Sequence, residues 1–402
     1  MADIKDFFSE KLKRQQDNSI DYKERIRAHK LAVFIRNVAL IVVFAVAVAV
    51  TNLSWKNKVF TGFNVLSSAP ISVVTGATAK NLDGNLFIYS KDGASCIDSK
   101  GKAIWNESFQ MQSPIVSINK GTVAIGDYNG RNIFVANKDK ILGTVKTNLP
   151  IRDITVSQNG VVAAVLDDSE VIRVFVYDGN KDTDEPIVQA KATMSKSGYP
   201  LSVALSPNGK LMMVSYFYVD SGKMKSAVSF YNFGEVGSNK VDNFVSGFDY
   251  LNTVMPYVRF MDNDSAFGVA NDRIVFFKGD EIPDNIGTGL QNEEIVGIYN
   301  NEEYVGLVFL NTTGESLYRL DIYSDEGKKI NSLSIDMDFT DIVFNKDNVI
   351  IYGGSQCLIS TVKGSVKYEG KVDGNINLLM PTGSAYKYTL ITQDSIDSVE
   401  LN

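Results

Sequence analysis

The sequence is poor in the residue types on which many catalytic and metal sites depend. Its 402 residues include one histidine, His29, and two cysteines, Cys96 and Cys357. Because no histidine follows position 29, the rest of the chain cannot hold a Ser-His-Asp triad, a Cys-His pair or a histidine-based zinc site. Two cysteines are too few for a disulfide scaffold. We expect two buried thiols that pack as small apolar groups, with a single disulfide between them as the alternative.

Basic residues are outnumbered by acidic ones. The chain has 40 lysines and arginines against 47 aspartates and glutamates, which gives a formal net charge of −7. Proteins that bind nucleic acid usually present a basic face. The charge balance therefore argues against a nucleic acid partner.

One long apolar run stands out near the N-terminus. From Leu31 to Val50 the chain reads LAVFIRNVALIVVFAVAVAV. About 20 residues at 1.5 Å each just cross a hydrocarbon core of about 30 Å. Arg36 lies close enough to one end for its guanidinium to reach the lipid headgroups. We predict an uncleaved transmembrane helix at residues 31–53 that contacts the lipid bilayer. A cleaved signal peptide is the alternative, but the run is longer than a usual signal core and some 30 residues precede it.

The flanking charges predict the orientation of this helix. Two lysines follow the run closely, at positions 56 and 58, whereas basic residues crowd the other flank at Lys23, Arg25, Arg27 and Lys30. The positive-inside rule places residues 1–30 in the cytosol and residues 54–402 outside the cell, on a single-pass protein of the cell membrane. Apolar residues in the first segment follow helical spacing at Ile4, Phe7, Phe8 and Leu12. This stripe predicts a short helix that lies on the inner leaflet or docks a cytosolic partner.

The segment from 54 to 402 repeats one pattern: an apolar strand, a tight polar turn and a second apolar strand. Examples are PIVSINKGTVAIG from Pro114 and PLSVALSPNGKLMMVS from Pro200. Eight such hairpins have turns near Gly84, Gly121, Gly160, Gly209, Asp264, Asn301, Asp347 and Gly383. Their mean separation is about 43 residues, and a period of 40–45 with four strands per repeat is typical of propeller blades. We predict an all-β fold, an eight-bladed β-propeller. Seven blades, or a pair of β-sandwiches, are the alternatives.

The last repeat is one strand short. The sequence IDSVELN ends the chain where the third strand of the last blade is expected, and residues Val59–Val65 have no other assignment. A missing fourth strand would leave an open sheet edge. We therefore predict that residues 59–65 complete the last blade and close the ring. Two segments, Asp178–Glu185 and Asn232–Asn243, are predicted insertions on outer strands.

One segment carries a recognisable motif. Between Asn85 and Phe109 the chain reads as strand, Asp-Gly turn, strand, Gly-Lys turn and a strand with tryptophan, at Tyr89, Asp92, Gly93, Gly101, Lys102 and Trp105. This segment resembles the repeat of quinoprotein-type propellers, which is also found in outer-membrane assembly lipoproteins that act as scaffolds. The whole layout resembles a family of single-span, membrane-anchored β-propeller proteins of Gram-positive anaerobes, a domain of unknown function. The resemblance implies a propeller fold and no particular activity.

Candidate catalytic residues are sparse. Quinone-dependent dehydrogenases of this fold use adjacent cysteines and a tryptophan beneath the cofactor, but this chain has no adjacent cysteines, so no such cofactor is expected. Propeller glycosidases need two or more carboxylates near the axis. The inner-strand candidates here are Asp153, Asp341 and Asp262, with Arg152 and Arg259 nearby. Adjacent residues on a strand point to opposite faces, so Arg152 and Asp153 cannot line one surface. We expect ordinary ion pairs at strand ends.

One loop has the spacing of a calcium site. Oxygen-bearing side chains occupy positions 1, 3, 5 and 7 of the calcium-loop pattern at Asp178, Asn180, Asp182 and Asp184. Thr183 replaces the glycine expected at position 6, and Gln189 replaces the glutamate expected at position 12. A weak calcium site is therefore the only metal site that the sequence suggests, and a solvated acidic turn is the alternative.

These observations favour a binding or scaffolding module in the cell envelope over an enzyme. A rigid ring presents loops from many blades on one face, and its partner would be an envelope protein or a glycan. A hydrolase or lyase with a carboxylate-based site in the central funnel is the alternative. Converging carboxylates in an axial pocket would favour the enzyme, whereas exposed aromatic residues such as Tyr216, Phe217 and Tyr218 would favour binding. Signalling through the cytosolic helix would require a dimer.

Overall fold

The N-terminal segment forms one continuous helix, α1 (Asp3–Lys56). The computed structural model describes residues 3–56, 58–74, 76–167, 172–192, 198–311, 314, 316–384 and 386–402. Residues 3–56 contain neither glycine nor proline, the two residue types that most disfavour helix interiors. The helix therefore joins the expected cytosolic helix and the expected span without a break. Residues Tyr22–Val48 are long and apolar enough to cross a membrane, and none of this stretch is buried within the protein.

Residues 1–59 and 60–402 form two separate compact units. The second begins with β1 (Phe63–Pro70), which is followed by the strands of blades 1 to 4. Blade 1 contains β2 (Thr78–Leu82), β3 (Asn85–Tyr89), β4 (Gly93–Ile97) and β5 (Ala103–Ser108). Blade 2 contains β6 (Pro114–Asn119), β7 (Thr122–Asp127), β8 (Asn132–Asn137) and β9 (Ile141–Lys146). Blade 3 contains β10 (Ile151–Val156), β11 (Val161–Asp167), β12 (Ile172–Asp178) and β13 (Val188–Ala192). Blade 4 contains β14 (Tyr199–Leu205), β15 (Leu211–Asp220), β16 (Lys223–Asn232) and β17 (Phe244–Leu251).

The second half of the ring continues the same order. Blade 5 contains β18 (Tyr257–Phe260), β19 (Ser265–Val269), β20 (Arg273–Lys278) and β21 (Asp284–Leu290). Blade 6 contains β22 (Ile295–Asn300), β23 (Tyr304–Leu310), β24 (Tyr318–Ser324) and β25 (Lys329–Ile335). Blade 7 contains β26 (Asp341–Asn345), β27 (Asn348–Gly353), β28 (Gln356–Thr361) and β29 (Val366–Lys371). Blade 8 contains β30 (Leu378–Pro381), β31 (Lys387–Ile391) and β32 (Ser395–Leu401). A short helix, α2 (Glu235–Ser238), and a 3-10 turn (Val241–Asn243) lie between β16 and β17.

The described strands form eight four-stranded antiparallel sheets, so the eight-bladed propeller is confirmed. Blade 8 has the order β1-β32-β31-β30, with Phe63 paired to Leu401 and Pro70 paired to Ser395. The predicted closure is therefore confirmed, although the closing strand is Phe63–Pro70 rather than residues 59–65. Phe60 and Thr61 instead donate backbone hydrogen bonds to the carbonyls of Lys367 and Asn402.

The turns between first and second strands lie where the sequence predicts them. In blade 1, Asp83 and Gly84 have φ values of 51° and 88°, the left-handed conformation that a two-residue hairpin turn requires. Aspartate tolerates this region better than most residues, and glycine enters it without steric cost. The other seven predicted turns fall between the first and second strands of blades 2 to 8.

Apolar packing between neighbouring blades supplies the core. The described residues contain eight buried apolar clusters, one at each of the eight seams between blades. Second strands such as β7 and β27 are buried along nearly their whole length because blades cover both of their faces, whereas β21 on the outside alternates exposed and half-buried residues. Cys96 and Cys357 are buried free thiols in different clusters, as predicted. The seam between blades 8 and 1 is the smallest, with five buried residues.

Candidate functional site

The ring has two faces with different connections. We call the end that carries the links between blades, such as residues 253–256 and 291–294, the connection face. The opposite end, which carries the first turns of the blades such as residues 120–121 and 301–303, is the turn face. The inner strands run from the connection face to the turn face. A ligand site on the axis can therefore open at either end.

On the turn face, side chains cross the axis. Arg259 of blade 5 donates a hydrogen bond from Nη2 to the carbonyl oxygen of Ile118 in blade 2, at 2.8 Å. Lys120 of blade 2 forms an ion pair with Glu302 of blade 6, with Nζ and Oε1 2.8 Å apart. The cavity between these inner strands has a volume of about 180 Å³. It offers little room for a ligand.

The three inner carboxylates that the sequence singles out have separate partners. Asp153 in blade 3 accepts a hydrogen bond from the Ile154 amide at 2.8 Å, and burial raises its pKa to about 6. Asp262 accepts hydrogen bonds from the amides of Asp264 and Ser265 in the first turn of blade 5. The third, Asp341, lies in blade 7. Among the described residues, no hydrogen bond links any two of these three carboxylates.

Arg152 also has its own partners. It forms an ion pair with Asp167 on the neighbouring strand and donates a hydrogen bond to the Tyr128 hydroxyl at 2.9 Å. Its guanidinium carbon lies 5.1 Å from the centroid of the Tyr128 ring. These contacts are the strand-end ion pair that the sequence predicts, and they direct Arg152 to Asp167 rather than to Asp153.

Asp341 lines a polar cavity on the connection face, between blades 7, 8 and 1. The cavity has a volume of about 560 Å³, and its polar lining includes Lys80, Asp341, Tyr352, Asn375, Asn377 and Gln393. The Lys80 ammonium lies 3.9 Å from the Asp341 carboxylate. Burial raises the pKa of Asp341 despite the nearby lysine. Asp341 is the one carboxylate among the described residues that line this cavity, whereas glycoside hydrolysis usually requires two. Its groups can hydrogen-bond a polar ligand.

A larger cleft opens on the same face between blades 5 and 6. Its volume is about 900 Å³, within the range of ligand clefts. Apolar side chains form most of its walls: Val254, Pro256, Tyr257, Val269, Ala270, Ile295, Val296 and Ile298. The charged residues among its described lining are all acidic, namely Asp272, Glu293 and Glu294. We call this the blade 5/6 cleft. The cleft could not be predicted from the sequence because its two walls come from different blades. The local signal is the acidic link QNEE that precedes β22.

Two of the four residues of the predicted calcium loop accept hydrogen bonds from other groups of the protein. Asp178 Oδ1 accepts hydrogen bonds from the backbone and side-chain nitrogens of Asn180, at 3.1 and 3.0 Å. Asp182 Oδ1 accepts one from the Thr144 amide of blade 2 at 2.9 Å. Among the described residues, no group of three or more acidic, histidine or cysteine side chains is placed to hold a metal ion. Calcium binding by Asp178, Asn180, Asp182 and Asp184 stays a prediction.

The aromatic residues of β15 are less exposed than a binding surface would need. Tyr216 is buried, and its hydroxyl lies 3.0 Å from that of Tyr231. Phe217 and Tyr218 are half-buried, and the Lys225 ammonium lies 5.8 Å from the centroid of the Tyr218 ring. Exposed apolar side chains lie at strand ends on both faces. On the connection face of blades 4 to 6 they are Val219, Met224, Leu251, Leu290, Val296, Leu310 and Leu317, and on the turn face they include Ile187, Val241, Phe244, Ile282 and Val366.

Comparisons with known proteins agree with the fold. BamB from Moraxella catarrhalis aligns over 85% of this chain and all of its own, at 10% identity and a TM-score of 0.48. Apo AztD from Citrobacter koseri aligns over 75% of this chain and 86% of its own, at 10% identity and a TM-score of 0.51. At such identities the AztD likeness shows a shared fold alone. No curated protein matches the sequence.

A match to a family model shows to which protein family the chain belongs. The model of the family of unknown function DUF5711 matches residues 56–401, which is nearly the whole of the chain after α1. This confirms the expected membership in a propeller family of unknown function, and the chain belongs to the DUF5711 family.

Proposed function

We propose that this protein is a membrane-anchored propeller that binds a partner of the cell envelope through its connection face. The observation that carries the proposal is the asymmetry between the two faces. The connection face has open cavities of about 560 and 900 Å³, and Val296 in the wall of the larger one is exposed. The turn face has side chains that cross the axis and a cavity of about 180 Å³. Open clefts with mostly apolar walls are typical of binding sites.

The proposal includes the orientation that the flanking charges predict. Helix α1 would anchor the chain in the bilayer through its apolar stretch, and the propeller would lie outside the cytosol. A binding role is supported by the separation of the inner carboxylates, since general acid and base groups must act on one substrate together. The Asp341 cavity is the place where a hydrolase or lyase, the alternative function, would have its site.

Site-specific photocrosslinking in the native membrane tests the proposal. A photoreactive residue is placed at Met224 or Leu290 on the connection face, or at Glu303 on the turn face as the control. All three side chains are exposed, so each variant is expected to fold. We expect one discrete crosslinked product from the first two positions and none from Glu303. The same products from all three positions, or no product from any, would refute a binding role for the connection face.

A further inference from the structure

We propose that the blade 5/6 cleft binds a segment of a partner protein that combines apolar side chains with lysine or arginine. This inference rests on the proposed function and names the chemistry of the partner. The walls of the cleft are apolar, and Val296 keeps 43% of its surface exposed. Next to the cleft, Leu290 is 74% exposed at the end of β21. Covering such a surface with apolar groups is favourable because it removes apolar area from water.

Two of the three carboxylates of the cleft are paired with arginines of the protein itself. Arg273 holds Asp272 at 2.6 Å, and Arg319 holds both carboxylate oxygens of Glu293 at 2.8 and 3.1 Å. Neither arginine lines the cleft. The pair with Arg273 lowers the pKa of Asp272, which keeps this carboxylate ionised at neutral pH.

Glu294 is the carboxylate left for the partner. It is exposed, and it forms no ion pair with any residue that the structure describes. A neutral apolar partner would bury this charge without compensation, which is unfavourable. A lysine or arginine on the partner would provide an opposite charge and would also speed association.

Other occupants fit the cleft less well. Anionic lipid headgroups would be repelled by Glu294, and the cleft lining offers them no basic side chain among the described residues. A second copy of this chain in a two-fold arrangement would bring two sets of the same carboxylates together, since such an interface uses one patch on both subunits. A polypeptide segment with apolar and basic side chains would pack against the apolar walls and pair with the Glu294 carboxylate.

The probe for the test is a fluorescent peptide of alternating leucine and lysine, and the matched control peptide replaces lysine with glutamate. Binding is measured by fluorescence anisotropy on the full-length protein in lipid nanodiscs. We expect saturable binding of the lysine peptide that weakens as salt is added, because salt screens exposed charges. We expect no saturable binding of the glutamate peptide. Absence of saturable binding by the lysine peptide would overturn the inference.

Charge reversal locates the site. Glu294→Lys should weaken binding by about tenfold or more, whereas Glu369→Lys on the outer strand of blade 7 makes the same change in net charge and should leave binding within about twofold. Val296→Ser should weaken binding several-fold by removing apolar contact. Equal effects of Glu294→Lys and Glu369→Lys would indicate nonspecific attraction and would overturn the site. Crosslinks from the connection face would survive that result, so the failure of this inference is distinguishable from failure of the proposed function.

Discussion

Replacing Gly143 with alanine should detach the loop that covers the outer edge of blade 2. Gly143 lies on β9, the outermost strand of that blade. A Cβ atom at this position would stand 2.5 Å from the carbonyl carbon of Lys181 and 2.6 Å from its oxygen. These are backbone atoms of the loop from blade 3, so the clash cannot be relieved by rotating a side chain. The loop must move away.

The free-energy cost of detaching the loop follows from the hydrogen bonds that hold it. Thr183 forms a parallel bridge with Val145 of β9. The Lys146 amide donates to the Thr183 carbonyl at 2.8 Å, and the Thr183 amide donates to the Thr144 carbonyl at 3.0 Å. The Thr144 amide donates to Asp182. At about 0.5–1.5 kcal/mol each, losing the three bonds costs roughly 1.5–4.5 kcal/mol locally.

Amide hydrogen exchange measures this effect directly. Loss of 1.4 kcal/mol speeds exchange about tenfold, so the amides of Thr144, Lys146 and Thr183 should exchange about 10 to 1,000 times faster in the Gly143→Ala variant. The control is Gly383→Ala, because a Cβ at Gly383 meets nothing within 4 Å. Unchanged protection of these three amides in Gly143→Ala would show that the added Cβ does not displace the loop.

Three further predictions concern titration, thiols and calcium. Since burial raises the Asp153 pKa to about 6, the folded state holds a proton that the unfolded state releases, and the free energy of unfolding falls as pH rises from about 4 through 6. Asp153→Asn should therefore raise the free energy of unfolding by about 1–3 kcal/mol at pH 7, measured by chemical denaturation, and leave it unchanged near pH 4. Burial raises the pKa of Cys96 to about 11 and that of Cys357 to about 12, so a thiol reagent should label neither in the folded protein and both after denaturation; rapid labelling of either would contradict their burial. Millimolar calcium should give heat in calorimetry if Asp178, Asn180, Asp182 and Asp184 bind it; absence of heat would rule the site out.

The architecture could be predicted from the sequence because each blade repeats the same local pattern of two apolar strands joined by a polar turn. All eight first turns were predicted, and the shortage of one strand in the last repeat predicted closure by the N-terminal segment. The predicted bounds of the closing strand began four residues too early, because Phe60 donates its backbone hydrogen bond to Lys367 of blade 7. Such a shift depends on neighbours that are distant in sequence.

The candidate site was less predictable because its parts come from separate blades. The polar cavity joins Lys80 of blade 1 to Asp341 of blade 7, and nothing near either residue in sequence marks the other. The spacing of Asp178 and Asp182 suggested a cation site, but the same oxygens accept hydrogen bonds from backbone amides, a use that spacing alone cannot distinguish. Tyr216 resembled a surface aromatic in sequence and is buried against the neighbouring blade.

The pairing of β1 with β32 also determines when the ring can close during biosynthesis. Asn64 and Asn402, which share a hydrogen bond at this junction, are 338 positions apart. At about 5–20 residues per second, a ribosome needs roughly 15–70 s to produce the second after the first. During that interval the earliest strand has no partner of its own, and its unpaired edge is open to other chains. The ring can therefore close only after synthesis of its last strand, so closure of the propeller is a late, post-synthetic step of folding.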